Sequence, residues 1–246
     1  MQFNTPEDLT DNSLAAFLEG LTARTAMHNL LWFDEAAKHL SYDEAVTLDS
    51  EVHRRLTPIT QARLYRFFHS TGHQEIPGNW EALPKEEKLA LSNEISKNWL
   101  AQDGIWFQAV ERAHGMQTAK AVNDAAWAKF SPLEAGSIRR LLGLPERPGL
   151  PGLARALHFR LYARINVQNV YTRDNAVILE MNRCRVQAAR VRKCMEDYPC
   201  RSAGVVEYST FASAIDPRIT TTCIACPPDS HPAEWFCSWK FEINQS

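Results

Sequence analysis

The feature that most constrains this chain is an internal repeat. Displaced by 74 positions, residues 31–68 align with 105–142 without a gap. Trp32-Phe33 falls on Trp106-Phe107, Lys38 on Arg112, Ala45 on Ala119, Leu48 on Val122, Arg55 on Lys129, Thr57-Pro58-Ile59 on Ser131-Pro132-Leu133 and Leu64 on Ile138. Each copy reads as three helices, one carrying the Trp-Phe pair, one through Ala45–Leu56 or Ala119–Phe130, and one starting at Thr57 or Ser131. A hydroxyl residue followed by proline is an N-cap with proline at N1, and Ser131-Pro-Leu-Glu134 adds a capping-box carboxylate. With only two copies of a long period, a duplicated helical bundle is expected rather than an open solenoid. Residues 1–148 are assigned to this domain, with repeats at about 28–68 and 102–142, and 69–92 as the connector. The repeated aromatics are read as core. Glu111-x-x-His114 has di-iron spacing, but Ala37 and Leu40 hold the matching positions of the first copy, so that reading fails.

Beyond the Pro/Gly-rich run Leu144–Gly152 the hydrophobic period changes from 3.6 to 2. Leu157, Phe159, Leu161, Ala163, Ile165 and Val167 alternate with polar residues, which predicts a half-buried strand. A second strand over Ala176–Met181 follows the turn 172–175. Helices are expected over 185–193 and 205–215, and strands over about 219–226 and 234–243. On the last strand Trp235, Cys237, Trp239 and Phe241 share a face. The order β-β-α-α-β-β implies an α+β domain at 149–246, an antiparallel sheet with helices on one side.

A net charge of −2, from 27 basic and 29 acidic residues, gives no global field for nucleic acid or anionic lipid. No stretch approaches the ~20 apolar residues of a membrane span, and the N-terminal residues lack the basic and apolar regions of a leader. A cytoplasmic location is expected, with neither nucleic acid nor membrane as partner. In that reducing compartment the six cysteines are metal ligands, redox thiols or buried packing groups rather than disulfides.

All six lie between residues 184 and 237. Cys223-Ile-Ala-Cys226 has a spacing that lets two thiolates converge on one ion, Cys200 and Cys237 offer further ligands, and Cys184 stands in reserve. Zinc and an iron–sulfur cluster both suit thiolates, and packing without a metal stays open. Pro227-Pro228 forbids the helix that a thioredoxin-type dithiol needs. Glu207 within an apolar helix, Asp216 at its end and Arg218 form a candidate catalytic set of acid, base and carboxylate anchor for hydrolysis of a small acidic or heterocyclic substrate. Caps and loop ion pairs are the alternative account of them. Asp229 and His231 lie in the loop beside them. The basic run Arg183–Arg201, broken by Glu196-Asp197, is read as a solvated helix face.

Through Met181–Arg190, Pro199-Cys200, Gly204–Tyr208, Ile215–Arg218, Cys223–Pro232 and Trp235–Trp239, together with Asn98–Glu111, the sequence resembles a bacterial family described only as cytosolic proteins of unknown function. The likeness covers roughly residues 95–243. More distantly it is similar to the L-2-amino-thiazoline-4-carboxylic acid hydrolase-like group and to the 4-vinyl-reductase domain, a small-molecule-binding module with suspected cysteine metal sites. The resemblance implies a small-molecule pocket between helices and sheet and leaves catalysis open. A cleft walled by Trp106 and Glu111 at the domain junction is the expected place for it. A non-enzymatic sensor or interaction module, with the hydrophobic repeat faces serving a partner or a homodimer, is the competing expectation.

Overall fold

In a computed structural model of the chain the described residues are 3–192, 194 and 197–243. The chain divides into two compact units, Pro6–Phe130, and Met1–Thr5 with Ser131–Ser246. That division lies upstream of the one placed at 148/149 from the Pro/Gly run.

In the first unit α1 (Asp11–His39) starts at Thr10, whose hydroxyl accepts from Ser13 N–H at 3.3 Å, and α2 (Tyr42–Ser70) starts at Ser41, whose hydroxyl accepts from Glu44 N–H at 3.2 Å. The long segment α3 (Lys85–Leu142) is interrupted at Gly115, where φ 83° and ψ 168° turn the chain. Gly115 is the repeat counterpart of Ser41, so each copy is a helical hairpin. The expected third helices do not exist as separate elements. Pro58 lies inside α2 and Pro132 inside α3, and the helix runs on through both. Each proline removes one backbone donor, while apolar positions on either side, Leu56 and Phe68 in one case and Phe130, Ala135 and Ile138 in the other, stay buried and hold the helix together.

The two hairpins meet as an isologous pair. Trp32 and Trp106 stack at 6.1 Å with planes 9° apart. Trp32 Nε1 donates to Asp103 at 2.9 Å, and Trp106 Nε1 donates to Asn29 at 2.8 Å; Asn29 and Asp103 are themselves 74 residues apart. Arg55 donates to Gln108 at 2.9 Å and Lys129 to Asp34 at 2.9 Å, again a reciprocal exchange. When residue i touches the partner of j, and j touches the partner of i, the contact has the twofold logic of a symmetric dimer, here within one chain. Around the tryptophans, Ala36, Ala45, Leu48, Val52 and Leu56 pack with Val110, Ala119, Val122 and Ala126. Trp106 is fully buried in this core and is therefore not available as the wall of a cleft.

The second unit holds α4 (Gly149–Leu157), α5 (Arg185–Val191), α6 (Arg201–Ile215) and strands β1 (Val167–Arg173), β2 (Ala176–Arg183), β3 (Ile219–Ala225) and β4 (Cys237–Ile243). All pairings are antiparallel, in the order β1-β2-β4-β3. The expected α+β class, with its antiparallel sheet after the helices, is the fold observed. Asp174 and Asn175, both at positive φ, make the two-residue turn between β1 and β2.

The strand expected from Leu157 begins only at Val167. Residues 149–157 are helix, and 158–166 form turns that include a 3₁₀ segment at Tyr162–Arg164. The apparent alternation treats Arg160 as solvent-facing, yet Phe159, Arg160 and Leu161 are all buried, because Arg160 is ion-paired inside. The end of the expected helix at 193 and the Glu196 that breaks the basic run lie outside the described residues.

Strand residues directly opposite in an antiparallel pair share a face. Cys237 pairs with Met181, Trp239 with Leu179 and Cys223, and Phe241 with Val177 and Thr221, so these side chains form one layer. Helix α6 covers it, with Tyr208 at 4.8 Å from the Trp239 ring. Trp235 falls in the loop before β4, beside His231.

Candidate functional site

Element boundaries bring thiols together at one end of this sheet. Cys184 is the N-cap residue of α5 and Cys200 that of α6; Cys237 opens β4, and Cys226 follows β3 beyond a bulge at Cys223/Ala225. Interaction with the Cys200 and Cys237 thiols, and then burial, pushes the Cys226 thiol far above the ordinary thiol range. Cys184 lies within electrostatic reach of Cys200 and Cys237, and burial pushes it up to about 12. Cys223 is less enclosed: burial raises it, Arg201 opposes, and Asp229 and Cys237 add to the rise. Cys194 is exposed, and all six cysteines are free thiols.

Polar groups fix this arrangement. The fully buried Gln187 grips the backbone of Tyr198 from both sides, donating to its carbonyl at 2.9 Å and accepting from its N–H at 2.9 Å, and the same amide nitrogen donates to Cys200 Sγ at 3.1 Å. Arg201 reaches both oxygens of Asp229 at 2.7 Å, and Asp229 in turn accepts from Cys226 N–H at 3.3 Å. Arg201 N–H donates to the Pro227 carbonyl, so the start of α6 and the Cys226 loop are tied together. His231 meets the Pro232 carbonyl at 2.9 Å and Asp197 at 3.3 Å, which raise its pKa. Among the described residues no group of three or more His, Cys, Asp or Glu side chains is disposed to hold a metal ion as it stands.

Glu207 is buried on α6, against Arg160. The Arg160 Nε donates to Glu134 at 2.9 Å, and the second oxygen of Glu134 accepts from Leu161 N–H at 3.0 Å. Arg160 Nη2 approaches Glu207 Oε1 at 2.6 Å, but without aligning an N–H on it, so both atoms lack a hydrogen bond despite the ion pair. The guanidinium also lies over Tyr208 and Phe211, at 5.2 and 4.7 Å from their centroids. Burial pushes the Glu207 carboxyl up, with Arg160 opposing. A carboxyl so placed holds its proton more readily than an exposed one, which is what an internal acid requires. Tyr208 links the two groups: burial, then Glu207 and Cys237, raise its phenol, and Cys226 contributes further.

Asp216 and Arg218 are brought to each other rather than to Glu207. Fully buried Asp216 accepts from Arg218 N–H at 3.1 Å, its Nε at 2.9 Å and Nη2 at 2.7 Å, and from Gly149 N–H at 2.9 Å. This occupies both carboxylate oxygens and pins the start of α4 to the end of α6. The Arg218 hydrogen bonds hold the Asp216 carboxyl far below its usual range. A folded-state pKa below the unfolded one gives stability that is complete above about pH 4 and disappears as pH falls through the folded value. Asp216→Asn is therefore expected to cost about 1.5–2 kcal/mol at pH 7, the low end because Arg218 is partly exposed. The deficit should shrink below pH 4 in urea titrations, and an equal deficit at pH 7 and pH 3 would refute the ionic origin.

Sequence reasoning missed Glu134, Arg160 and Gln187. Glu134 had the signature of a capping box and Arg160 that of a solvent-facing strand residue; nothing local marks Gln187, whose partners lie 11 and 13 residues away.

No curated protein and no solved structure matches the chain. Nothing thus supports the likeness to the thiazoline-carboxylate hydrolase or 4-vinyl-reductase groups. A model described as "Family of unknown function (DUF6125)" matches residues 81–243, which include every cysteine and the buried carboxylates Glu134, Glu207 and Asp216. That match spans well over half of the 246 residues, and the chain belongs to this family.

Proposed function

We propose that the α+β unit is a cysteine-ligated metal-binding module serving a small-molecule site. The observation that carries this reading is the placement of Cys184, Cys200, Cys226 and Cys237 at the ends of four separate elements near one end of the sheet, where Cys237 pairs with Met181 and the start of α6 is bonded to the Cys226 loop. Cysteines at two helix starts, a strand start and a braced turn near one sheet end match how protein sites gather a soft cation. These residues would hold an ion as thiolates, so its uptake would release thiol protons.

A hydrolytic role is the finer reading, favoured by the buried Glu207. It is an acid of raised pKa whose neighbour Tyr208 also senses Cys226 and Cys237. In this reading Glu207 delivers a proton to the leaving group of a small acidic or heterocyclic substrate. Asp216 and Arg218 support it only by fixing the far end of α6.

Anaerobic purification of the full chain, followed by elemental analysis and a visible spectrum, tests the metal. At least about half an equivalent of zinc or iron per chain is expected, given the affinity of thiolate sites. A colourless protein below that level overturns the reading and leaves a non-enzymatic sensor or interaction module with packing cysteines.

A further inference from the structure

We infer that the chain forms a homodimer in which β3 pairs antiparallel with β3 of a second copy, joining the two sheets into one and setting the two α6 helices side by side. The dimer does not depend on a metal. The repeat faces of the helical unit pack on each other within one chain, so they are not this surface. In the strand order β1-β2-β4-β3, β1 and β3 are the edges. An open edge offers a row of backbone donors and acceptors, and chains that stay monomeric guard it with charge, proline or a bulge. β1 is guarded: it ends in Arg173 next to Asp174, both exposed, and its pairing shifts at Val167/Gln168. β3 is not. Ile219-Thr-Thr-Thr-Cys223 holds no charge and no proline, its register shift comes only after Cys223, and Thr220 and Thr222 are exposed.

The neighbouring helix face is uncharged too. α6 packs along β3, and from Ser202 to Ala225 the charged side chains are Glu207, Asp216 and Arg218 alone, in a protein that is 23% charged. Glu207 and Asp216 are buried, and Arg218 is spent on Asp216. What α6 shows to solvent is Ser202, Val205, Val206, Ser209, Thr210 and Ser213, where a solvated helix ordinarily carries charge. The Ser209 hydroxyl donates to the Val205 carbonyl at 2.6 Å, that of Thr210 to Val206 at 2.8 Å and, on β3, that of Thr220 to Glu242 at 3.1 Å. These hydroxyls turn to the chain's own backbone, so the patch presents carbon, with Val205 44% and Ile224 51% exposed. Depletion of charge marks the centre of a protein interface.

A second copy is the occupant this patch fits. A neutral surface has nothing for a charged partner to match, whereas a twofold through Thr221 sets Thr220 opposite the partner's Thr222, Thr221 opposite the partner's Thr221 and Ile219 opposite the partner's Cys223, with no like charges facing. An edge strand alone covers less than the ~1,200 Å² of a stable interface. An extended peptide would cover only that strand, but a twofold perpendicular to the sheet brings the α6 faces together as well.

Sedimentation velocity of the reduced full chain over about 1–200 µM tests this, and a reversible dimer is expected. Thr220→Lys/Thr222→Lys sets lysines directly opposite each other across the axis and should raise the dissociation constant by about tenfold or more. Both sites are exposed, so the fold should be retained, as far-UV circular dichroism checks. Mixing that chain with Thr220→Glu/Thr222→Glu should restore a dimer of one copy each, while Asn169→Lys on β1 should leave the dimer unchanged. A wild-type chain that stays monomeric throughout that range overturns the proposal. So does a dimer that tolerates the two lysines, or one broken by Asn169→Lys instead. Were the lysine chain not to fold, hydrogen exchange of the wild type decides: protection of β3 amides should rise with protein concentration, and protection independent of concentration overturns the proposal.

Discussion

Arg160→Met destabilises the chain by about 3–5 kcal/mol at neutral pH. The guanidinium is buried between Glu134 and Glu207, and its removal leaves two carboxylates in the interior without a cation. Methionine fills much of the volume and keeps contact with Tyr208 and Phe211, so the loss reports charge more than cavity. The sign of its pH dependence follows from Glu207. Its folded-state pKa is already raised by burial, with Arg160 the group that opposes the rise. Without Arg160 the rise is larger, the folded state binds the proton more tightly than the unfolded chain, and stability increases as pH falls. Urea unfolding should therefore show the deficit of Arg160→Met shrinking from pH 7.5 to pH 5. Adding Glu207→Gln to Arg160→Met should restore part of the loss, since it removes one orphaned charge. A deficit under about 1 kcal/mol, or one independent of pH, would mean that water reaches the group and that Glu207 is not an internal acid.

The legible parts of the fold were those set by local chemistry. Asp174-Asn175 between two β-rich runs specifies its hairpin, and the Pro-ended helix at Asp216 and the alternating Cys237-x-Trp239-x-Phe241 specify theirs. The errors have a common cause in tertiary packing. Thr57-Pro58 and Ser131-Pro132 look like helix starts, yet buried apolar residues on both sides carry the helix through the proline. That the signal occurs twice added no independent support, because a duplicated sequence duplicates its misleading features. Arg160 made a false strand by counting as polar and outward, when Glu134 and Glu207, 26 and 47 residues away in sequence, bring it inside. The reciprocal bonds of Trp32 and Trp106 were present in the alignment as the Asn29/Asp103 pair; seeing them required the idea that the copies face each other. For the site, the cysteines cluster in sequence, and only the fold shows that Cys184 and Cys200 open helices while Cys223 precedes a bulge in β3.

Gly204 carries the other large effect, and it connects packing to the site. It lies on the buried face of α6, and a Cβ there would stand 2.6 Å from Cζ2 and 3.0 Å from Cη2 of Trp239. The indole is fully buried and rigid, so the helix or the ring must move. Relief of glycine's helix penalty favours alanine by up to about 1 kcal/mol, against an overpacking cost of about 1–3 kcal/mol; a net loss of about 1–2 kcal/mol is expected for Gly204→Ala. For Gly204→Leu, with three more carbons in the same contact, the loss should exceed about 3 kcal/mol. Trp239→Leu separates the clash from other causes, since Trp239 Nε1 has no hydrogen-bond partner and its loss strands none. In that background Gly204→Ala should become neutral or stabilising, a coupling of about 1–3 kcal/mol in a double-mutant cycle by urea unfolding. Equal cost of alanine in both backgrounds would show that the close approach does not fix α6. Because Gly204 N–H donates to the Cys200 carbonyl and Tyr208 is one turn on, a helix pushed off Trp239 carries Cys200 and Glu207 with it. On the metal reading, the same Gly204→Ala chain should therefore retain less zinc or iron than wild type on anaerobic purification even where it remains folded.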